Sequence, residues 1–394
     1  MGSELDVLLF GDLNVDTMMA IHQYPPPGGD GISDFVEVEV GGAVANSAVT
    51  LARLGLRTGL VGALGRDAWA EQVTRPLEAE GIDLRRVVRV ARGTGLAMIV
   101  ATPDGERTMF SFRGANEELP PEHITAELLA GAGVLHFSGY AFLKPPQAEA
   151  AWKAAALGAQ MGVPLSLDSG LEPVLRSPEG MRRLLPQLAV CITGLEEMHA
   201  LDGCEQPEAA LDALMAHGVG LGAVKLGAQG CWLGNDQGEK CFFPIFPIET
   251  VDTTGAGDAF SAGLLFALRR GLSLGAAGTL ASALGALATT QYGAGMKMPG
   301  AAQVCAFLRE RREARAGGAF CGGAGIGGRQ ERVAGDFVFD VFEVGVGLGS
   351  GIGEDPDVGL AAFEGFAQGI GEGGDGRLGG PSWCEHVEPA AAAV

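Results

Sequence analysis

An α/β fold with a mostly parallel sheet covered by helices on both faces is what this 394-residue chain predicts, and three observations predict it. Strand-like apolar runs alternate with helix-period segments through most of the sequence, the signature of repeated strand–helix–strand units. Apolar residues make up 47% of the chain, enough to fill a sizeable core. Near the end of the alternation, Asp252-Thr253-Thr254-Gly255-Ala256-Gly257-Asp258 forms a glycine turn that opens into the small apolar run Ala259-Phe260-Ser261-Ala262-Gly263. A turn leading straight into a helix is how ligand loops of such sheets are built.

Taken in order, 7–13 reads as a buried strand and 43–54 as an amphipathic helix stopped by Gly55. Residues 58–64 read as a strand and 68–80 as a helix. The runs 96–102 and 107–112 flank Pro103-Asp104-Gly105-Glu106, a hairpin turn. Strands at 134–137 and 164–167 enclose a helix at 147–161; strands at 188–192 and 222–226 enclose one at 207–217. Two long helices begin near Gly257 and Ser273. The stretch 271–296 has no charge, yet Ala, Gly, Ser and Thr dominate it, so it reads as a closely packed buried helix rather than a membrane span.

Two stretches break the pattern. Residues 14–40 hold Pro25-Pro26-Pro27-Gly28-Gly29 and then the alternating Phe35-Val36-Glu37-Val38-Glu39-Val40, an exposed strand pair that reads as a lid together with the strands near 96–113. Beyond Arg315, 22 of 79 residues are glycine against 42 of the 315 before it. Glycine at that density costs too much chain entropy to pack, so 1–315 is expected to be the folded domain and 316–394 a poorly ordered tail.

A net charge of −21 with no compensating basic stretch argues against nucleic acid or an anionic membrane as partner. A phosphorylated ligand stays open, because helix N-termini and metal ions hold phosphate inside acidic proteins. The seven cysteines are scattered without a CxxC pair, and the N-terminus lacks a basic start and apolar core. Both features predict reduced thiols in the cytoplasm.

At 252–258 the amides of Gly255, Ala256 and Gly257 stand unpaired at a helix start, where the dipole adds positive potential. Asp258 beside such an anion hole would be repulsive unless it takes a proton, which points to phosphoryl transfer onto a hydroxyl. This segment resembles the C-terminal signature of the ribokinase-like carbohydrate kinases, the PfkB family. Some 210 residues earlier, Gly41-Gly42-Ala43-Val44-Ala45-Asn46-Ser47-Ala48, with Gly55 and Gly65 following, resembles the family's other signature. The resemblance spans about residues 5–310.

It implies a ribokinase-like three-layer α/β/α fold with a small β lid, and an ATP- and Mg²⁺-dependent sugar kinase. Asp258 corresponds to the family's general base and Gly255 to Gly257 to its anion hole. Gly41, Gly42 and Asn46 correspond to the sugar-binding turn, and Asp16 to the aspartate that accepts from sugar hydroxyls, with Asn14 assisting and Asp12 structural. The family's Asn-x-x-Glu is matched by Thr193-Gly194-Leu195-Glu196, so Glu196 would organise Mg²⁺ and its water and Thr193 would border the nucleotide without the usual amide; Glu197 is the alternative ligand. Lys225, Gly227 and Gly230 correspond to the strand–turn beside ATP, and Gly293 to an element near adenine and a K⁺ loop. Arg113, like Arg107, could reach an acidic substrate or be a surface charge; His136 and His199 read as structural. A homodimer through the lid is a further expectation. Alternatives are a nucleoside kinase of the same superfamily, for which Tyr24 and Phe35 leave room, and a catalytically silent sugar or nucleotide sensor.

Overall fold

The computed structural model describes residues 4–33, 35–102 and 107–317, so the expected tail beyond 317 and the 103–106 turn lie outside the described residues. Strand β1 (Val7–Phe10), buried at every position, is followed by β2 (Asn14–Ala20) and β3 (Phe35–Gly41). Helix α1 (Ala43–Arg53), strand β4 (Thr58–Leu64), helix α2 (Ala68–Ala79) and strands β5 (Val87–Arg89), β6 (Gly95–Ala101) and β7 (Arg107–Phe112) come next. Then follow α3 (Ala126–Leu129), β8 (Leu135–Ser138), α4 (Gln147–Gln160), β9 (Leu165–Asp168), α5 (Leu171–Arg176), α6 (Pro178–Leu184) and β10 (Leu188–Gly194). The chain continues through α7 (Leu195–Asp202), α8 (Pro207–Ala216), β11 (Leu221–Lys225), β12 (Cys231–Asn235), β13 (Lys240–Phe243), α9 (Ala256–Arg270), α10 (Leu274–Ala288) and α11 (Ala301–Gly317).

The main sheet runs β13-β12-β11-β10-β9-β8-β1-β4-β5. Every pairing from β11 to β5 is parallel, and only the β12 and β13 edge is antiparallel. Helices cover both faces, as β10 illustrates: Val190 and Ile192 pack in one core with Phe260, Leu264 and Ala277, while Cys191 packs in another with Phe137, Met198 and Leu211. Strands buried on both faces must be apolar at consecutive positions, which is why these runs are continuous rather than alternating. No described helix is long and apolar enough to cross a membrane.

From β1 the chain first goes outward to β4 and β5, then returns to β8 on the other flank. That reversal opens a crevice beside the carboxyl end of β1, where ligands of open α/β sheets bind. β1 stops at Phe10, short of the expected 13. The N–H of Leu13 donates to Asn116 Oδ1 (2.8 Å) and its carbonyl accepts from Asn116 Nδ2 (3.2 Å), so a buried amide takes the place of a ladder neighbour.

A second sheet, β3-β2-β6-β7, is the lid. β2 pairs antiparallel with β3 and parallel with β6, so the lid draws its strands from both stretches expected of it. β6 and β7 pair antiparallel from Leu96↔Phe112 to Ala101↔Arg107, as a hairpin requires.

Candidate active site

The N-terminus of α9 is shaped by Gly255, whose φ of 78° is left-handed. A β-carbon there would also lie 2.8 Å from Ala294 Cβ and 2.9 Å from Met298 Sδ, so both conformation and space require glycine. Asp252 folds the turn: its carboxylate accepts from Thr254 N (3.0 Å), Thr254 Oγ1 (2.9 Å) and Gly293 N (2.8 Å). The Ala256 amide donates to Thr253 O at 3.3 Å, which corrects the expectation of three open donors. Among the described residues the amides of Gly255 and Gly257 have no such backbone partner, as is usual at a helix start.

Asp258, in the first turn of α9, accepts from Asn46 Nδ2 at 2.7 Å through Oδ2, across 212 residues of sequence. Asn46 is itself oriented by the Gly295 amide, which donates to its Oδ1 at 2.9 Å. Ser47 Oγ donates to the Asp258 carbonyl (3.0 Å), fastening α1 to α9. Burial pushes the Asp258 carboxyl up to about 6, with Asn46 opposing and Asp168 and Lys225 pulling in opposite directions. Asp16 is pushed to about 7, by burial first and then by the charge of Asp258. The two carboxyls are therefore close enough for the charge of one to act on the other.

Asp16 lies over the 41–42 turn. A β-carbon on Gly41 would fall 1.9 Å from Asp16 Oδ1, and one on Gly42, at φ 97°, would fall 2.2 Å from Asp12 O. Asn14 Oδ1 accepts from Asn116 Nδ2 (2.8 Å), which fixes the orientation of the Asn14 amide. Asp16, Met18, Glu37, Glu39 and Ile99 of the lid line a cleft whose other wall is Thr254, Gly293 and Ala294.

On the other side of Asp258 stands Lys225, at the carboxyl end of β11. Its Nζ is 3.6 Å from where a β-carbon on Gly257 would stand, beside the amides of the turn. Asp168 holds it, with Oδ1 at 2.9 Å and Oδ2 at 3.3 Å, and Asp168 also accepts from Ser261 Oγ (2.8 Å). Burial would lower the lysine's pKa, but Asp168 outweighs it and the group is raised, hence charged. Gly227 lies in an exposed turn after Lys225, at φ 58° with open space around it. Gly230 closes that turn against Phe243 O.

The two glutamates of the acidic motif differ in their surroundings. Glu196 is exposed, whereas Glu197 is half-buried, with its Oε2 2.0 Å from where a Gly194 β-carbon would be. Burial raises the Glu197 carboxyl, with Lys225 opposing and Asp168 reinforcing. Helical phase is the reason: in the first turn of α7 only one of two adjacent carboxylates can face the strand ends. Thr193 is buried, and its Oγ1 accepts from Ser169 Oγ (2.8 Å); the position three before Glu197 is Gly194. Arg113 is engaged within the protein. Its Nε and Nη2 each lie 2.8 Å from Asp12, and Nη2 also donates to Tyr140 O (2.9 Å) and Gln147 Oε1 (2.6 Å).

Reasoning from sequence did not single out Asp168, Asn116, Asp252, Glu37 or Glu39. Asp168 is a lone carboxylate at a strand end, and that location was the only signal that could have found it.

Residues 5–300 match the model of the pfkB family carbohydrate kinases. The aminoimidazole riboside kinase of Salmonella typhimurium is 31% identical over 289 residues, 70% of this chain and 90% of that protein. The ATP-dependent ribose-1-phosphate kinase of Halopiger xanaduensis is 30% identical over 308 residues, 77% of this chain and 98% of that protein. The structure of Arabidopsis thaliana ribokinase complexed with ribose and ATP superposes with a TM-score of 0.69 at 27% identity, covering 78% of this chain and 99% of that one. A two-sided parallel sheet with a β lid, and a carboxylate at a glycine-turn helix start, define a phosphotransferase acting on an alcohol group. The chain belongs to the PfkB family of carbohydrate kinases.

Proposed function

We propose that this protein transfers the γ-phosphoryl group of ATP to a hydroxyl of a sugar bound between the lid and the body. The observation that carries this reading is the 2.7 Å bond from Asn46 to Asp258, which joins the two glycine signatures into one site facing Asp16. Asn46 occupies Asp258 Oδ2 and leaves Oδ1 to take the proton of the acceptor hydroxyl as its oxygen attacks phosphorus. The amides of Gly255 and Gly257, with Lys225, steady charge on the transferring phosphoryl. Asp16 and Asn14 hold neighbouring hydroxyls, as acceptor and donor respectively.

The donor set suits Mg²⁺: Glu197, half-buried beside Lys225 and Asp168, offers hard oxygen ligands at the phosphate side. When bound, the ion would neutralise β- and γ-phosphate charge. Glu197 thus replaces Glu196 in this reading. The Lys225–Gly230 turn and Gly293 would border the nucleotide. K⁺ would sit where Asp252 ties the 252–254 turn to the loop at 293. The outer face of the lid supports a homodimer, and scattered cysteines without a CxxC pair accord with a cytoplasmic setting.

A nucleoside kinase is the second reading, favoured by Met18 and Ile99, an apolar surface in the cleft on which a base could lie. ATP turnover against a panel of sugars and nucleosides tests both. Turnover is expected to depend on an acceptor, because the closed lid excludes water. Brisk ATP hydrolysis without any acceptor would contradict the reading, and turnover with none would return a silent sensor.

A further inference from the structure

On the kinase reading above, we propose that the lid selects an acceptor without negative charge and excludes sugar phosphates and sugar acids. The pairing of β2 with β3 sets this up. Asp16 pairs with Glu39 and Met18 with Glu37, and directly paired residues share a face of the sheet. Both glutamates therefore stand with Asp16 in the cleft, and its lining carries three carboxylates and no basic side chain.

Two cations of the neighbouring elements, Lys297 and Arg113, are already paired. Lys297 Nζ pairs with Glu37 and lies 3.9 Å from Glu39. Arg113 gives two N–H groups to Asp12 and shares one of them with Gln147 and Tyr140. The place built to receive an anion is the α9 turn with Lys225, and the transferred phosphoryl occupies it. A second phosphate or a carboxylate at the lid end would meet like charge in a half-buried setting, whereas a hydroxyl would donate to the same oxygens. Such unpaired charge is how a site rejects a near-relative of its substrate. Relatives named for a riboside and for ribose 1-phosphate both match this chain, so family membership leaves the choice to these lid residues.

The test is kcat/KM of the full chain for ribose, fructose and adenosine against ribose 5-phosphate, fructose 6-phosphate and gluconate. An uncharged acceptor is expected to exceed every anionic one by about 100-fold, the scale of one or two like-charge contacts at intermediate dielectric. An anionic acceptor with the highest value would overturn the proposal and leave the kinase reading intact. Turnover of neither class would remove both. In the double variant Glu37→Gln, Glu39→Gln, the anionic-to-neutral ratio should rise about tenfold or more; an unchanged ratio would also overturn the proposal.

Discussion

Asp16 and Asp258 carry carboxyls raised to about 7 and about 6, and the charge of Asp258 contributes to the shift of Asp16. A raised carboxyl means that the folded state holds its proton more tightly than the unfolded chain does. The stabilisation is complete below the ordinary value of 3.8 and is lost as pH rises through the folded values. The pocket thus weakens the fold near neutral pH, in exchange for a base that is ionised when it is needed. Asp16→Asn removes the penalty. Its stability advantage over the parent, measured by denaturant unfolding, should grow between pH 5 and pH 8 by roughly 1–3 kcal/mol. An advantage that stays flat over that range would contradict this account of the pocket. At the same scale the sequence was only partly legible. Asp258 and Asn46 announced themselves through their glycine neighbours. Which of Glu196 and Glu197 is the more buried could not be read without the phase of α7, and Asp168 bore no motif at all.

The lid is an element with two chemistries on its two faces. Inward go Asp16, Glu37, Glu39, Met18 and Ile99; outward go Val36, Val38, Met98, Phe110 and Phe112, all exposed. The paired rows Val38–Thr17–Met98–Phe110 and Val36–Met19–Val100–Thr108 make that outer face a largely apolar strip, interrupted by Thr17 and Thr108 and with Val100 buried. Monomeric surfaces rarely carry such strips, and a twofold pairing of lids would cover both copies. Sedimentation at micromolar concentration should find a dimer, and Phe110→Glu should shift it to monomer; a parent that sediments as a monomer would contradict the pairing. The alternation that creates the two faces was visible in Phe35-Val36-Glu37-Val38-Glu39-Val40. The direction in which each face points was not, because that depends on β2 lying between β3 and β6.

Across the whole molecule, the sheet works as a frame that brings distant segments to one edge. The chain leaving β1 enters β2 and delivers Asn14 and Asp16, β9 delivers Asp168 and β11 Lys225, and α9 closes the space with Asp258. Repeated strand–helix units and apolar continuity were enough to foresee that frame, since parallel strands buried on both faces leave a strong imprint on composition. The short strand β5, the β12–β13 edge and helices α5 to α7 left weaker imprints and were found only in the structure. The joint between Asn46 and Asp258 is the point on which the functional account rests, and removing the charge there tests it most directly. With the best acceptor of the panel, kcat of Asp258→Asn should fall on the order of 10²–10⁴ while far-ultraviolet circular dichroism stays that of the parent. Turnover equal to the parent's in a folded Asp258→Asn variant would take Asp258 out of the chemistry and the account with it.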